Sequence, residues 1–194
     1  MRAVIKLLIS FFLCKVFYRV KFINKEKEEQ YDKCIICPNH SNTVEPAWIY
    51  SKTKDICIMA KAELFENKLF GAILKYLNVF PIRRGEHDVR SLIHAINLFK
   101  EVKKRKLLVF PEGERIKINE EKGVAKVGPA YIAYKAGIPI IPVYITKNAK
   151  LFSRVNIIYG DPIYVTKEIA HDKEKLKAFS DELLNKCYDL KNQI

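Results

Sequence analysis

Apolar positions along the chain recur with two different periods, and stretches of the two kinds alternate. Short runs rich in β-branched and aromatic residues occupy 34–37, 56–60, 79–82, 107–110, 138–145 and 155–159, and each predicts a strand. Between them the spacing turns helical. Residues 87–104 carry Val89, Leu92, Ile93, Ile96, Phe99 and Val102 at three- and four-residue steps. Helices are predicted over 45–52, 62–76, 87–104 and 124–136. A last one near 167–190 places Leu176, Phe179, Leu183, Cys187 and Leu190 on one side. Strands alternating with helices predict an α/β layered domain, with a largely parallel or mixed central sheet flanked by helices. Pro139 and Pro142 remove ladder donors, so the strand at 138–145 is expected at a sheet edge or interrupted.

The N-terminal stretch has its own pattern. An apolar run at 7–14, broken only by Ser10, lies between Lys6 and Lys15. Arg2, Arg19 and Lys21 add to the basic residues, and no acidic residue falls in the first 21. The run is too short to span a bilayer, which needs about 20 apolar residues. No small-residue cleavage site follows it, so a signal peptide is disfavoured. Residues 1–23 are therefore expected to form an apolar helix, basic at both ends, that dips into one leaflet of an anionic membrane. The competing reading is a core helix beneath the domain. Residues 24–33 read as a charged linker or surface turn, and 24–194 as a single domain. The corresponding location is peripheral or monotopic, on the cytoplasmic face of the cell membrane.

Composition narrows the function classes. A chain of 194 residues with 49% hydrophobic content is globular rather than disordered, and seven glycines and eight prolines exclude a collagenous sequence. With Lys+Arg at 35 and Asp+Glu at 22, the net charge is +13. Such basicity suits a nucleic-acid binder, a protein on an anionic membrane, or an enzyme with anionic substrates. The cluster Lys100, Lys103, Lys104, Arg105 and Lys106 comes without any nucleic-acid-binding signature. It reads as the solvated end of the preceding helix, and no nucleic-acid partner is expected. Five cysteines, an odd number, argue for a reducing compartment. Cys34 and Cys37 enclose two isoleucines and read as a buried strand. No second pair or suitably spaced histidines accompany them, so no metal is expected.

Candidate chemistry sits at strand ends. Pro38-Asn39-His40-Ser41-Asn42-Thr43-Val44-Glu45-Pro46 follows one predicted strand and precedes a helix. An imidazole can accept a proton near neutral pH, and a carboxylate can orient it. A five-residue step on a helix separates side chains by about 140°. His40 must therefore lie on the loop and fold back to meet Glu45. Phe80-Pro81-Ile82-Arg83-Arg84-Gly85 ends a strand in two guanidinium forks suited to phosphate. Phe110-Pro111-Glu112-Gly113-Glu114-Arg115 leads from a strand into a carboxylate, a glycine and an arginine. Gly113 would let the backbone approach a ligand. Arg115 could hold a phosphate, and Glu112 a hydroxyl or an arginine.

These blocks, with Ile138-Pro139-Ile140-Ile141-Pro142-Val143 as the fourth, resemble in sequence order those of the glycerolipid acyltransferases that make phosphatidic acid from lysophosphatidic acid. The resemblance spans about residues 30–145. It implies acyl transfer from a thioester donor, acyl-CoA or acyl carrier protein, to the hydroxyl of lysophosphatidic acid, without a cofactor. It implies His40 and Glu45 as the catalytic pair, and Asn39, Arg83, Arg84, Glu112, Gly113 and Arg115 around the substrate. Arg84 matches the family's arginine in the second block. Two positions depart from the pattern: Glu45 replaces the usual Asp, and Glu114 replaces the usual Thr or Ser. They leave open another lysophospholipid or lyso-aminolipid as acceptor, or a non-catalytic membrane adaptor of the same fold. A covalent route through Ser41 or Cys37 is the rival chemistry.

Overall fold

The computed structural model describes residues 2–83, 88–117 and 119–193. The chain begins with helix α1 (Arg2–Phe11), a π-helical turn (Phe12–Val16), strand β1 (Arg19–Ile23) and the short α2 (Glu26–Glu29). Then come β2 (Lys33–Pro38), α3 (Glu45–Lys52), β3 (Ile56–Lys61), a 3-10 turn (Ala62–Phe65), α4 (Lys68–Tyr76) and β4 (Val79–Ile82). The second half holds α5 (Val89–Asn97), β5 (Arg105–Leu108), α6 (Gly128–Ala136), β6 (Ile140–Ile145), β7 (Arg154–Tyr159), α7 (Lys167–Ala170) and α8 (Lys173–Asp189).

The strands form one seven-stranded sheet in the order β1-β7-β6-β2-β5-β3-β4. Every neighbouring pair is parallel except β6–β7, so the expected largely parallel sheet is what forms. Helices cover both faces, and the strands consequently bury side chains on both. In β2, Cys34 and Ile36 point into one core, with Trp48 and Ile49 of α3. Ile35 and Cys37 point into the other, with Ala95 of α5, Ala133 of α6 and Leu183 of α8. Tyr18 meets Trp48 edge to face, ring centroids 4.9 Å apart, tying the end of the N-terminal segment to α3.

Several elements differ from the sequence reading. The helix expected through residue 23 ends at Val16, and Arg19–Ile23 is instead an edge strand paired with β7 from Arg19↔Arg154 to Ile23↔Ile158. Its basic and apolar residues alternate at a two-residue period, which suits a half-buried strand. The charged stretch 24–33 is not merely a solvated turn. Glu28 of α2 is fully buried and accepts a hydrogen bond from Lys106 of β5. Lys106 is thus a buried partner rather than part of a helix end, and α5 stops at Asn97. The helix expected near 167–190 breaks at His171-Asp172, where the Asp172 carboxylate accepts the first amides of α8.

The proline-bearing β6 is interior, between β2 and β7, not at an edge. Ile140 donates to Ile163 on the β7 side, so two residues on the nitrogen of Pro142 faces that side too. There β7 has already ended at Tyr159, and the missing donor falls in the gap before the Ile140↔Ile163 bridge. The ladder is interrupted on one side only.

The sheet order places a site. The chain leaves β2 through α3 toward β3, whereas adjacent β5 leads through α6 to β6 on the opposite side of β2. The carboxyl ends of β2 and β5 therefore flank a topological switch point, where open α/β sheets bind ligands.

Candidate active site

Asn39 follows β2 directly and is fully buried. Its amide donates to the carbonyl of Ile145 (3.0 Å) and accepts from the amide of Ile145 (2.7 Å). Both ends of the side chain are engaged by β6, so Asn39 fastens the loop to the sheet instead of facing a substrate. The next residue, His40, is fixed on three sides. Its amide donates to Glu112 Oε2 (2.7 Å), its carbonyl accepts from Ile116 (2.9 Å), and its ring stacks on Phe110 with centroids 3.8 Å apart.

The fold brings His40 and Glu45 together. Glu45 opens α3 and is fully buried, with Oε2 2.7 Å from His40 Nδ1. The Ser41 amide and hydroxyl also donate to it, the hydroxyl at 2.8 Å. The helix N-terminus adds a favourable field for a carboxylate. A carboxylate only accepts, so a neutral ring facing it carries its proton on Nδ1 and leaves the Nε2 lone pair free.

Glu112 has a different position from the one expected. It is buried, and its carboxylate accepts from three protein donors: His40 N, Gly123 N (2.8 Å) and Tyr188 Oη (2.7 Å). It clamps the loops after β2 and β5 to α8 and has no arginine among these partners. Burial, then the bond to Glu112, push the Tyr188 phenol well above its ordinary pKa, so it stays a donor. A side chain on Gly123 would come within 3.1 Å of Glu112 Cγ, a tight contact that the Glu112 side chain would have to relieve by shifting. Gly113 sits at φ +73° and donates its amide to Phe110 O (3.0 Å), so it serves the turn.

His40 opens onto a cavity of about 1000 Å³. Its wall is apolar, built from Ile58 and Ala60 of β3, Leu64, Phe70 and Leu74 around α4, Val79 of β4 and Ile9 of α1. Polar groups line it too: the half-buried Ser41, and Thr43, Lys61, Glu114, Arg115 and Lys117, whose exposure puts them at the rim. Arg115 thus shares the cavity with His40. Arg83 does not line it; it borders a separate surface groove with Asp88 and Arg90, and its amide donates to Asp88 (2.9 Å). Arg84 lies outside the described residues.

Lys61, Lys117 and Tyr188 escaped the sequence reading. Lys61 ends β3, and the rule that parallel strands carry sites at their carboxyl ends would have flagged it. Tyr188 carried no signal, being one helical residue 76 positions from its partner. The alternative nucleophiles are poorly placed. Cys37 is fully buried, and burial pushes its thiol well above the ordinary value. The Ser41 hydroxyl donates to Glu45 rather than to an imidazole nitrogen.

A carboxylate-backed histidine thus lies against a largely apolar cavity. The acyltransferase family model matches residues 19–146, and the chain belongs to that family. It is 29% identical over 184 residues to the 1-acyl-sn-glycerol-3-phosphate acyltransferase of Bacillus subtilis, covering 90% of this chain and 89% of that one. It is 32% identical over 144 residues to the enzyme of the same name from Streptococcus pneumoniae, covering 71% of this chain. The match spans about half of that relative's length, 52%. The fold is shared with the crystal structure of the 1-acyl-sn-glycerophosphate (LPA) acyltransferase PlsC from Thermotoga maritima, at a TM-score of 0.72 and 23% identity over 98% of this chain and 81% of that one.

Proposed function

We propose that this chain transfers a fatty acyl group from a thioester donor, acyl-CoA or acyl carrier protein, to the free hydroxyl of lysophosphatidic acid, giving phosphatidic acid. The observation that carries the proposal is the His40–Glu45 pair, 2.7 Å apart, opening onto an apolar cavity with a cationic rim. His40 Nε2 takes the acceptor's hydroxyl proton as that oxygen attacks the thioester carbonyl. Glu45 holds the ring and stabilises the imidazolium. Collapse of the tetrahedral intermediate breaks the C–S bond, and the leaving thiolate recovers the proton. A thiolate leaves without metal assistance, so no cofactor enters the scheme. Arg115, Lys61 and Lys117 are assigned to the acceptor phosphate. The apolar wall is assigned to acyl chain.

The protein is proposed to act on an anionic membrane surface. No helix among the described residues is long and apolar enough to cross a membrane. Val4, Leu7, Leu8 and Phe11 of α1 nevertheless form an exposed stripe at helical spacing, and Leu69, Phe70 and Ile73 of α4 are exposed as well. Ile9 of α1 lines the cavity, which would bring the acceptor's chain in beside that helix.

The test is thiol release with purified protein, lysophosphatidic acid in vesicles, and each donor in turn, with the lipid product identified. His40→Ala should lower turnover by roughly 10²–10⁴-fold while the protein stays folded. A folded His40→Ala variant with near-normal turnover would sink the assignment of the base. Glu114 supports a second reading. Its carboxylate on the rim beside Arg115 suits an acceptor that carries an amine as well as a phosphate. Faster release with lyso-aminolipids than with lysophosphatidic acid would favour it.

A further inference from the structure

The turn between β6 and β7 breaks two rules of a solvated connection. Its tip is Leu151-Phe152, and both side chains are largely exposed, at 58% and 60%. Phe152 also lies at φ +63°, a backbone region in which a bulky residue is strained and asparagine or glycine is not. The strained backbone is held from outside the turn. The Phe152 amide donates to Phe17 O (2.7 Å), and its carbonyl accepts from Arg19 Nη2 (2.8 Å). The tip is thereby fastened to the end of the N-terminal helical segment, whose Phe12, Val16 and Phe17 are exposed too. The Phe152–Phe17 backbone bond sets the two apolar segments side by side.

The sequence around the tip is basic, and the acids Glu120 and Glu121 adjoin the turn at Lys147, whose Nζ donates to both their carbonyls. Lys15, Arg19, Lys150 and Arg154 are all exposed near the tip. Neither residues 1–25 nor residues 122–160 contain an Asp or Glu. An exposed apolar tip flanked in sequence by Lys150 and Arg154, and bonded to Arg19, is complementary to an anionic lipid surface. The opposite side of the same turn touches the catalytic loop. The Asn148 amide donates to Ser41 Oγ (3.2 Å), and Asn42 Nδ2 donates to the carbonyl of Ala149 (3.1 Å).

We infer that the β6–β7 turn is a second membrane-seating element: Leu151 and Phe152 enter an anionic bilayer surface beside the N-terminal helix. Its contacts with Ser41 and Asn42 set the His40 loop at a fixed height over that surface. The inference rests on the membrane reading of α1 and adds a separate contact to it.

An environment-sensitive fluorophore placed at Leu151→Cys tests it, since all five native cysteines are buried. The same fluorophore at Leu8→Cys reports α1. With vesicles containing anionic lipid, both probes should shift to the blue and be quenched by nitroxides on the lipid chains. A probe at 8 that enters lipid while the probe at 151 stays in water overturns the inference and leaves the membrane reading standing. Two probes that stay in water overturn both. A blue shift at 151 without vesicles, growing with protein concentration, assigns the tip to a second copy of the chain and also overturns it. A companion variant, Leu151→Ser with Phe152→Asn, should lose roughly tenfold or more in vesicle partitioning. Because asparagine tolerates the positive φ, its melting temperature should hold or rise. Unchanged partitioning of that variant rejects the inference.

Discussion

Tyr188 shows how far a residue's importance can lie from its visible chemistry. It donates to Glu112, which in turn holds the His40 amide and the Gly123 amide. Tyr188→Phe removes one donor from a buried carboxylate. It should lower stability by about 1–2 kcal/mol, read by chemical denaturation at constant m-value. Unchanged stability would mean that water replaces the hydroxyl. The His40–Glu45 pair was legible because a histidine and an acid bracket a turn between a strand and a helix. Asn39 and Glu112 were legible as special residues but not as structural ones. Their partners, Ile145 and Tyr188, lie 106 and 76 positions away, beyond any local pattern. Lys61 was hidden for the opposite reason: a lysine after an apolar run looks like any solvated strand end.

At the scale of elements, periodicity located six of the strands, and it failed where two signals competed. Arg19–Ile23 was absorbed into the apolar, basic segment before it, although its alternation marks a strand. The helix expected at 87–104 kept its apolar spacing past Asn97, but α5 does not continue there. Its start is better defined than its end. Asp88 caps α5 by accepting from the amide and hydroxyl of Ser91 and also from the Arg83 amide. Those bonds, the Arg83 amide foremost, hold the Asp88 carboxyl below its ordinary value of 3.8. A depressed folded pKa means the cap's contribution is complete above the unfolded value and is lost as pH falls through the folded one. The Ser91 amide should therefore exchange faster as pH drops below about 3.8, after correction for intrinsic rates. Asp88→Ala should remove that pH dependence. An exchange profile indifferent to the substitution would assign the acid response to another group.

Over the whole molecule, the charge of +13 resolves into unlike parts. Lys106 is internal, paired with Glu28; Lys104 pairs with Asp32 at 2.9 Å; Arg115, Lys61 and Lys117 edge the cavity. The rest includes the cations around α1 and the β6–β7 turn. If these meet anionic headgroups, partitioning onto anionic vesicles should weaken steeply between about 50 and 500 mM salt, as the Debye length contracts. Partitioning onto neutral vesicles should be weaker and nearly insensitive to salt. Equal partitioning at both salts on anionic vesicles would argue that the apolar stripe acts alone. The layered α/β architecture was readable because each strand and helix declared its period. The cavity was not, since its wall draws on α1, β3, β4 and α4 at once and exists only once they pack.

The edge-to-face contact between Tyr18 and Trp48 gives the protein an optical gauge of its own. Trp48 is the chain's one tryptophan and is fully buried in α3, the helix that opens with Glu45. Undocking of the N-terminal segment would withdraw Tyr18 and admit water to the indole, moving its emission toward the red. An unlabelled sample titrated with vesicles therefore reports on itself. A blue, unshifted spectrum on lipid would say that the segment stays seated against α3 while its outer stripe enters the membrane. A red shift would say that it lifts away.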